Sequence, residues 1–176
     1  GDELRVDYGT ISTGTMFLVS ATPRNGTYDL QAWSAPASGY EAQDKAWQQV
    51  RLSQIVAEIA ARHGLSFALY GVEDRLYTYL LQSSVSDFVF LNRVCSLDGC
   101  AFLVYDKKLV VYSEPFMEAQ APSEVLTVTV DGDYEYTDRR AELYGSCIVT
   151  GGNYSGKFDA GNGARRILRP VTPQNI

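Results

Sequence analysis

Residues 50–67 read VRLSQIVAEIAARHGLSF, and residues 82–115 read QSSVSDFVFLNRVCSLDGCAFLVYDKKLVVYSEP. In the first stretch Leu52, Ile55, Val56, Ile59, Ala60 and His63 recur at helical spacing, with Ser53 near the start and Gly64 just past the end. That pattern predicts an amphipathic helix. In the second, Phe88, Leu91, Val94 and Cys95 form the apolar stripe of another helix over residues 86–97. Ser84 or Ser86 caps it, Asp87 suits the positive end of its dipole, and Gly99 stops it. Residues 65–70 and 76–82 read as strands after the first helix. Residues 100–105 and 109–112 read as a hairpin around Asp106-Lys107-Lys108. The centre of the chain is therefore a helix-strand, helix-hairpin unit.

On the N-terminal side, residues 4–8, 15–21 and 28–33 alternate and are separated by Gly9, Gly14 and the turn signal Pro23-Arg24-Asn25-Gly26, which predicts short antiparallel strands. Residues 34–44 (SAPASGYEAQD) read as a connector, with one more short strand over 46–50. On the C-terminal side, residues 113–124 read as a linker. Residues 125–130, 133–137 and 144–150 then read as strands before the glycine-rich GGNYSGKFDAGNG. The expected class is α+β: barrel-type antiparallel strands interrupted by a small α/β insert with two helices and a hairpin. The expected divisions are residues 1–46, 47–115 and 116–176.

The composition agrees with a folded, strand-rich chain. Of 176 residues 45% are hydrophobic, including twelve tyrosines and seven phenylalanines, and aromatic side chains suit a pleated surface. A net charge of -6 argues against general nucleic-acid binding, which needs clustered Lys and Arg, and Arg165, Arg166 and Arg169 are too few to reverse it. No apolar run approaches the roughly 20 residues that span a bilayer, and GDELRVDYG has no signal-peptide character. An odd number of cysteines points away from a disulfide framework and toward a reducing compartment. Asn25-Gly26-Thr27 and Asn153-Tyr154-Ser155 match the glycosylation pattern but read as turn residues.

Three constellations invite chemistry. Cys95, Cys100, Cys147 and His63 formally make a Cys3His zinc set, but the nearest pair has four intervening residues rather than the spacing of a zinc knuckle. Cys95 reads instead as a small hydrophobe, and His63 as a residue serving the last carbonyls of its helix. Gly151 to Lys157 matches the first seven positions of a phosphate-binding loop, yet Phe158 stands where Ser or Thr is needed and no helix start follows. Asp131, Asp133 and Glu135 alternate along one side of an extended segment without the calcium-loop glycine and glutamate. A lone histidine and no Gly-x-Ser-x-Gly elbow leave no local signature of a nucleophile and its base. No catalytic, cofactor or metal residue is assigned, and no cofactor is expected.

The two quoted stretches resemble the late control protein D family of phage tail proteins, which is similar to the hub part of type VI secretion spike proteins. The Leu-x-x-Ile-Val-x-x-Ile-Ala helix ending in His-Gly-Leu is matched by Leu52, Ile55, Val56, Ile59, Ala60, His63, Gly64 and Leu65. The Ser-Asp-aromatic-x-Phe-Leu helix leading through a Gly to a hairpin is matched by Ser86, Asp87, Phe88, Phe90, Leu91 and Gly99. The chain departs from the family at Arg51, where Thr is usual, and at Cys95 and Cys100.

The resemblance implies a non-enzymatic component of a contractile-tail baseplate hub. Such a component forms a ring, typically a homotrimer, that joins the tail tube to the central spike in the virion tail and is assembled in the bacterial cytoplasm. It implies tube and spike partners, no sequence-specific nucleic-acid contact and no membrane. Family hubs are longer, so open strand edges are expected here, and the acidic balance would keep passing DNA from adhering to the lumen. Two alternatives stand beside it. One is a tail-associated cell-wall hydrolase, with Asp131, Asp133 and Glu135 the first carboxylates to test, and the other is a receptor- or glycan-binding module suggested by tyrosine abundance.

Overall fold

The computed structural model describes residues 2–123, 144–151, 154–159 and 165–170. The chain divides into two compact units, Gly1–Ser123 and Glu124–Ile176. The fold is α+β and its strand pairs are mostly antiparallel, as the alternation predicts. Among the described residues these strands lie in separate sheets of two or three strands rather than in a closed barrel.

The core of the first unit is the central module. α1 (Leu52–Arg62) and α2 (Asp87–Leu97) bury the stripes read from the sequence: Leu52, Ile55, Val56, Ile59 and Ala60 from one, Phe88, Leu91, Val94 and Cys95 from the other. They pack on a sheet in which β10 (Lys108–Ser113) lies between β7 (Ser66–Tyr70), parallel to it, and β9 (Cys100–Tyr105), antiparallel. Cys100, Val104, Leu109 and Val111 complete the core from the strands.

The ends of both helices follow local chemistry. At the end of α1, Gly64 takes φ +66°, Gly64 N–H donates to Ala61 and Leu65 N–H to Ala60 at 2.8 Å. This paired closure satisfies two orphan carbonyls and turns the buried Leu65 inward. Ser86, not Ser84, caps α2, its hydroxyl accepting from Val89 N–H, and Gly99 at φ +67° ends it. The start of α1 is capped locally, Gln54 Oε1 accepting from the Arg51 N–H at 2.8 Å, and also from a distance. Asp74 accepts from the Ser53 N–H at 2.8 Å and from its hydroxyl at 3.0 Å.

Four elements differ from the sequence reading. The strand expected over 46–50 is β6 (Ala42–Arg51), and the one expected over 76–82 is β8 (Leu76–Ser86); together they form a long two-stranded ribbon. Their polar ends hid their length, and a bulge extends the pairing: Ser84 sits at φ +49° with its N–H held by Asp44 at 2.7 Å. The start of the linker is a short helix, α3 (Glu114–Glu118), with the Ser113 hydroxyl accepting from Phe116 N–H and Pro115 in its first turn. The segment 4–8 is broken into β1 (Glu3–Leu4) and β2 (Asp7–Tyr8), the latter paired with β3 (Ile11–Ser12).

β4 (Met16–Arg24) and β5 (Thr27–Trp33) form the expected hairpin through Asn25-Gly26, with β1 along part of β4. In the second unit β11 (Tyr144–Gly151) lies between antiparallel β12 (Tyr154–Asp159) and parallel β13 (Arg165–Pro170). The strands read over 125–130 and 133–137 lie outside the described residues. Among those described, no helix is long and apolar enough to cross a membrane.

The connector before β6 holds a 3-10 turn, Ala37–Tyr40, seated on α2. Its Gly39 is buried against Phe88: a Cβ there would lie 2.0 Å from the ring. Gly39→Ala is therefore expected to destabilise the unit by about 1–3 kcal/mol through forced displacement of the ring, read as a lower denaturant midpoint with an unchanged m-value.

Candidate functional site

The polar groups of the central module converge on Asp87. This residue begins α2 four positions before Leu91, on the stripe that faces the core, so its carboxylate is carried inward. Its side chain is only 1% exposed. Arg62, at the last turn of α1, brings Nη1 to 2.7 Å from both carboxylate oxygens. His63 Nε2 lies 2.8 Å from Oδ2, and the fully buried Gln82 of β8 donates from Nε2 to Oδ1 at 2.9 Å. Burial alone would raise the Asp87 carboxyl. The hydrogen bonds from Gln82 and His63 and the Arg62 charge outweigh it and hold the group below the usual carboxylate range.

The contacts continue outward. Gln82 Oε1 accepts from the Trp47 indole at 3.3 Å, and Trp47 stacks on Phe90 with centroids 5.8 Å apart. Arg62 also holds Glu58 at 2.9 Å, and Glu58 pairs with Lys45, whose ammonium stands 3.8 Å over the Trp47 ring. His63, with 3% of its side chain exposed, reaches the Ser38 hydroxyl through Nδ1 at 2.9 Å. An ionised carboxylate only accepts, so Nε2 carries the hydrogen and Nδ1 faces Ser38. One buried anion thereby joins α1, α2, β6, β8 and the 3-10 turn, giving the order Ser38, His63, Asp87 along one line of contacts.

This corrects the reading of His63. Its ring does not serve the helix carbonyls; those are met by backbone N–H groups, and both ring nitrogens are committed to Asp87 and Ser38. With neither nitrogen free, His63 is unsuited to zinc, and among the described residues no three His, Cys, Asp or Glu groups gather as a metal site. Cys95 and Cys100 are buried free thiols, as their positions suggest. Burial, then the Cys100 and Asp98 charges, push Cys95 up to about 12, and burial pushes Cys100 up as well, which keeps both thiols protonated and unreactive. Beside them the Tyr77 hydroxyl donates to Asp98, which also holds Arg75 at 2.8 Å.

The apparent phosphate loop is strand structure. Gly151 ends β11, Tyr154 to Lys157 lie in antiparallel β12, and Lys157 pairs with Asp159 at 3.0 Å rather than heading a helix. Asp131, Asp133 and Glu135 lie outside the described residues. Gln82 and Ser38 carried no motif. The available signal was alternation: Gln82 shares a strand face with Leu80, and Asp87 shares a helix stripe with Leu91.

No protein family model matches the chain, and no curated protein does. Solved structures do match. The 43 kDa tail protein of prophage MuSo2 from Shewanella oneidensis superposes with a TM-score of 0.66 at 10% identity, over 92% of this chain and 54% of its own. The tail protein from Neisseria meningitidis MC58 gives 0.60 at 11% identity, over 92% and 56%. Prophage tail protein gp18 from Listeria monocytogenes EGD-e gives 0.56 at 9% identity, over 96% and 57%. The chain shares the fold of these tail proteins. It spans a little over half the length of each. At such identities the likeness is one of backbone, sustained while nearly all side chains differ.

Asp87→Ala is expected to cost about 3–5 kcal/mol, because Arg62, His63 and Gln82 lose their acceptor together; calorimetry or denaturant titration measures it. A carboxyl held low in the folded state contributes stability above its unfolded value of 3.8, and that contribution is lost as pH falls through the folded value. Acid unfolding below about pH 4 should therefore be shallower in Asp87→Asn than in the parent chain.

Proposed function

We propose that the chain is a structural component of a phage or prophage tail, and specifically part of a baseplate hub of the late control protein D kind. In this reading it forms a ring, a homotrimer, that connects the tail tube to the central spike in a contractile tail. The residues 1–46 and 116–176 supply the ring strands, and residues 47–115 are the insert between them. The observation that carries the reading is the fold likeness to tail proteins over 92–96% of the chain.

A second feature supports assembly. β5 is the outermost strand of its sheet, and its outer edge has no partner among the described residues. Tyr28, Leu30 and Trp33 along it are 69%, 50% and 43% exposed. A hairpin of this kind is marginal in water by itself, and an open apolar edge is a template for a strand from another chain. The central module, by contrast, buries its own hydrophobic cluster and pairs its buried polar groups around Asp87.

Light scattering on the purified chain is expected to give a trimer mass, and mixing with the cognate tube and spike proteins a larger complex. A strict monomer that binds neither overturns the hub reading. Leu30→Asp is expected to weaken self-association by about tenfold or more while leaving the far-ultraviolet circular dichroism unchanged.

A further inference from the structure

Ser38 is the exposed end of the line of contacts that begins at Asp87, and we propose that it is a nucleophile activated by His63, with carboxylic esters as the class of substrate. Acyl transfer to a serine needs a reachable hydroxyl, a base within hydrogen-bond distance, and a third group that orients the base. Ser38 lies on the surface in the 3-10 turn Ala37–Tyr40, with its Oγ 2.9 Å from His63 Nδ1. His63 Nε2 is fixed 2.8 Å from Asp87, and both of these side chains are shielded from water. In the familiar serine triads the hydroxyl faces Nε2 and the carboxylate Nδ1; here the ring is turned round. Proton transfer requires only that one ring nitrogen face each partner, so the exchange leaves the relay intact.

Arg62 and Gln82 keep Asp87 ionised and immobile, which orients the base. Arg62 also shares the carboxylate with the imidazolium that forms, so turnover is slow beside that of a dedicated hydrolase. Tyr40, two residues beyond Ser38, meets Trp33 edge to face at 5.7 Å, and the two rings are 54% and 43% exposed. This exposed aromatic pair, joined to Ser38 through the same turn, is an apolar surface for the hydrocarbon part of an ester.

In the first step Ser38 Oγ bonds to the carbonyl carbon, its proton passes to His63 Nδ1, and the bond to the alcohol oxygen breaks as that oxygen takes the proton. In the second, water attacks the acyl-serine, giving its proton to Nδ1, and the carboxylic acid leaves as Ser38 regains a hydrogen. No oxidant, metal or cofactor is consumed. The activity adds to the tail role and does not depend on it.

The test exposes the full chain separately to a fluorophosphonate probe and to p-nitrophenyl acetate, with adducts mapped by mass spectrometry. The expected result is a phosphonyl or acetyl adduct on Ser38, absent in Ser38→Ala, and formed at least about a hundredfold more slowly in His63→Gln. Ser34→Ala, which removes a neighbouring exposed hydroxyl, should react like the parent chain. An adduct on Ser38 no faster than on Ser34 in the parent chain overturns the proposal, and that comparison needs no variant to fold. Labelling of a folded His63→Gln at the parent rate overturns it as well.

Discussion

A single buried carboxylate organises the central module. Asp87 is withdrawn from water at the start of α2, where an unpaired charge would be intolerable, and it is made acceptable only by three donor residues, two at the end of α1 and one in β8. The arrangement constrains more than energy. Arg62 reaches the carboxylate only if α1 ends where it does, His63 only if Gly64 turns the chain away, and Gln82 only if β8 keeps its inward face through the bulge at Ser84. The apolar stripes would allow the two helices to slide against each other at modest cost, whereas the hydrogen bonds do not. The hydrophobic core supplies cohesion and the anion selects one packing from among several.

The parts of the fold that were readable before any coordinates are those settled within a few residues. The stripes of α1 and α2, a serine cap at 84 or 86, the glycines at 64 and 99 and the turn at Asp106-Lys107 each announce themselves within one or two helical turns. What escaped notice depends on partners far along the chain. Part of the cap on α1 comes from Asp74, and the length of β6 and β8 comes from pairing between them; α3, by contrast, is set locally by Ser113 and Pro115. The polar cluster was half visible. Asp87 and His63 fall on apolar stripes and Gln82 on an inward strand face, so their burial could be read from position, but nothing local said that they would meet.

The two faces of the first unit are therefore different in kind. The module around Asp87 buries a contiguous hydrophobic cluster and pairs its buried carboxylate with several donors. The β4–β5 hairpin beside it buries little and leaves backbone groups open. The first unit thus combines a module with a buried polar centre and a strand surface whose side chains remain largely in water.

The turn at Asp106 and Lys107 joins these two parts. Asp106 accepts from Thr15 N–H at 2.8 Å, and Lys107 holds Glu3 at 2.8 Å, across sequence separations of 91 and 104 residues. Both contacts are exposed, and they hold a segment with almost no buried side chains of its own. The free energy needed to lift residues 2–15 from the module is consequently a small fraction of that needed to unfold it. Local opening of this kind gives the amides of β1, β2 and β3 a route to solvent that those of α1, α2 and β10, packed in the core, do not share. The N-terminal strands thus form a separate layer of stability, able to detach and re-dock without disturbing the core beneath.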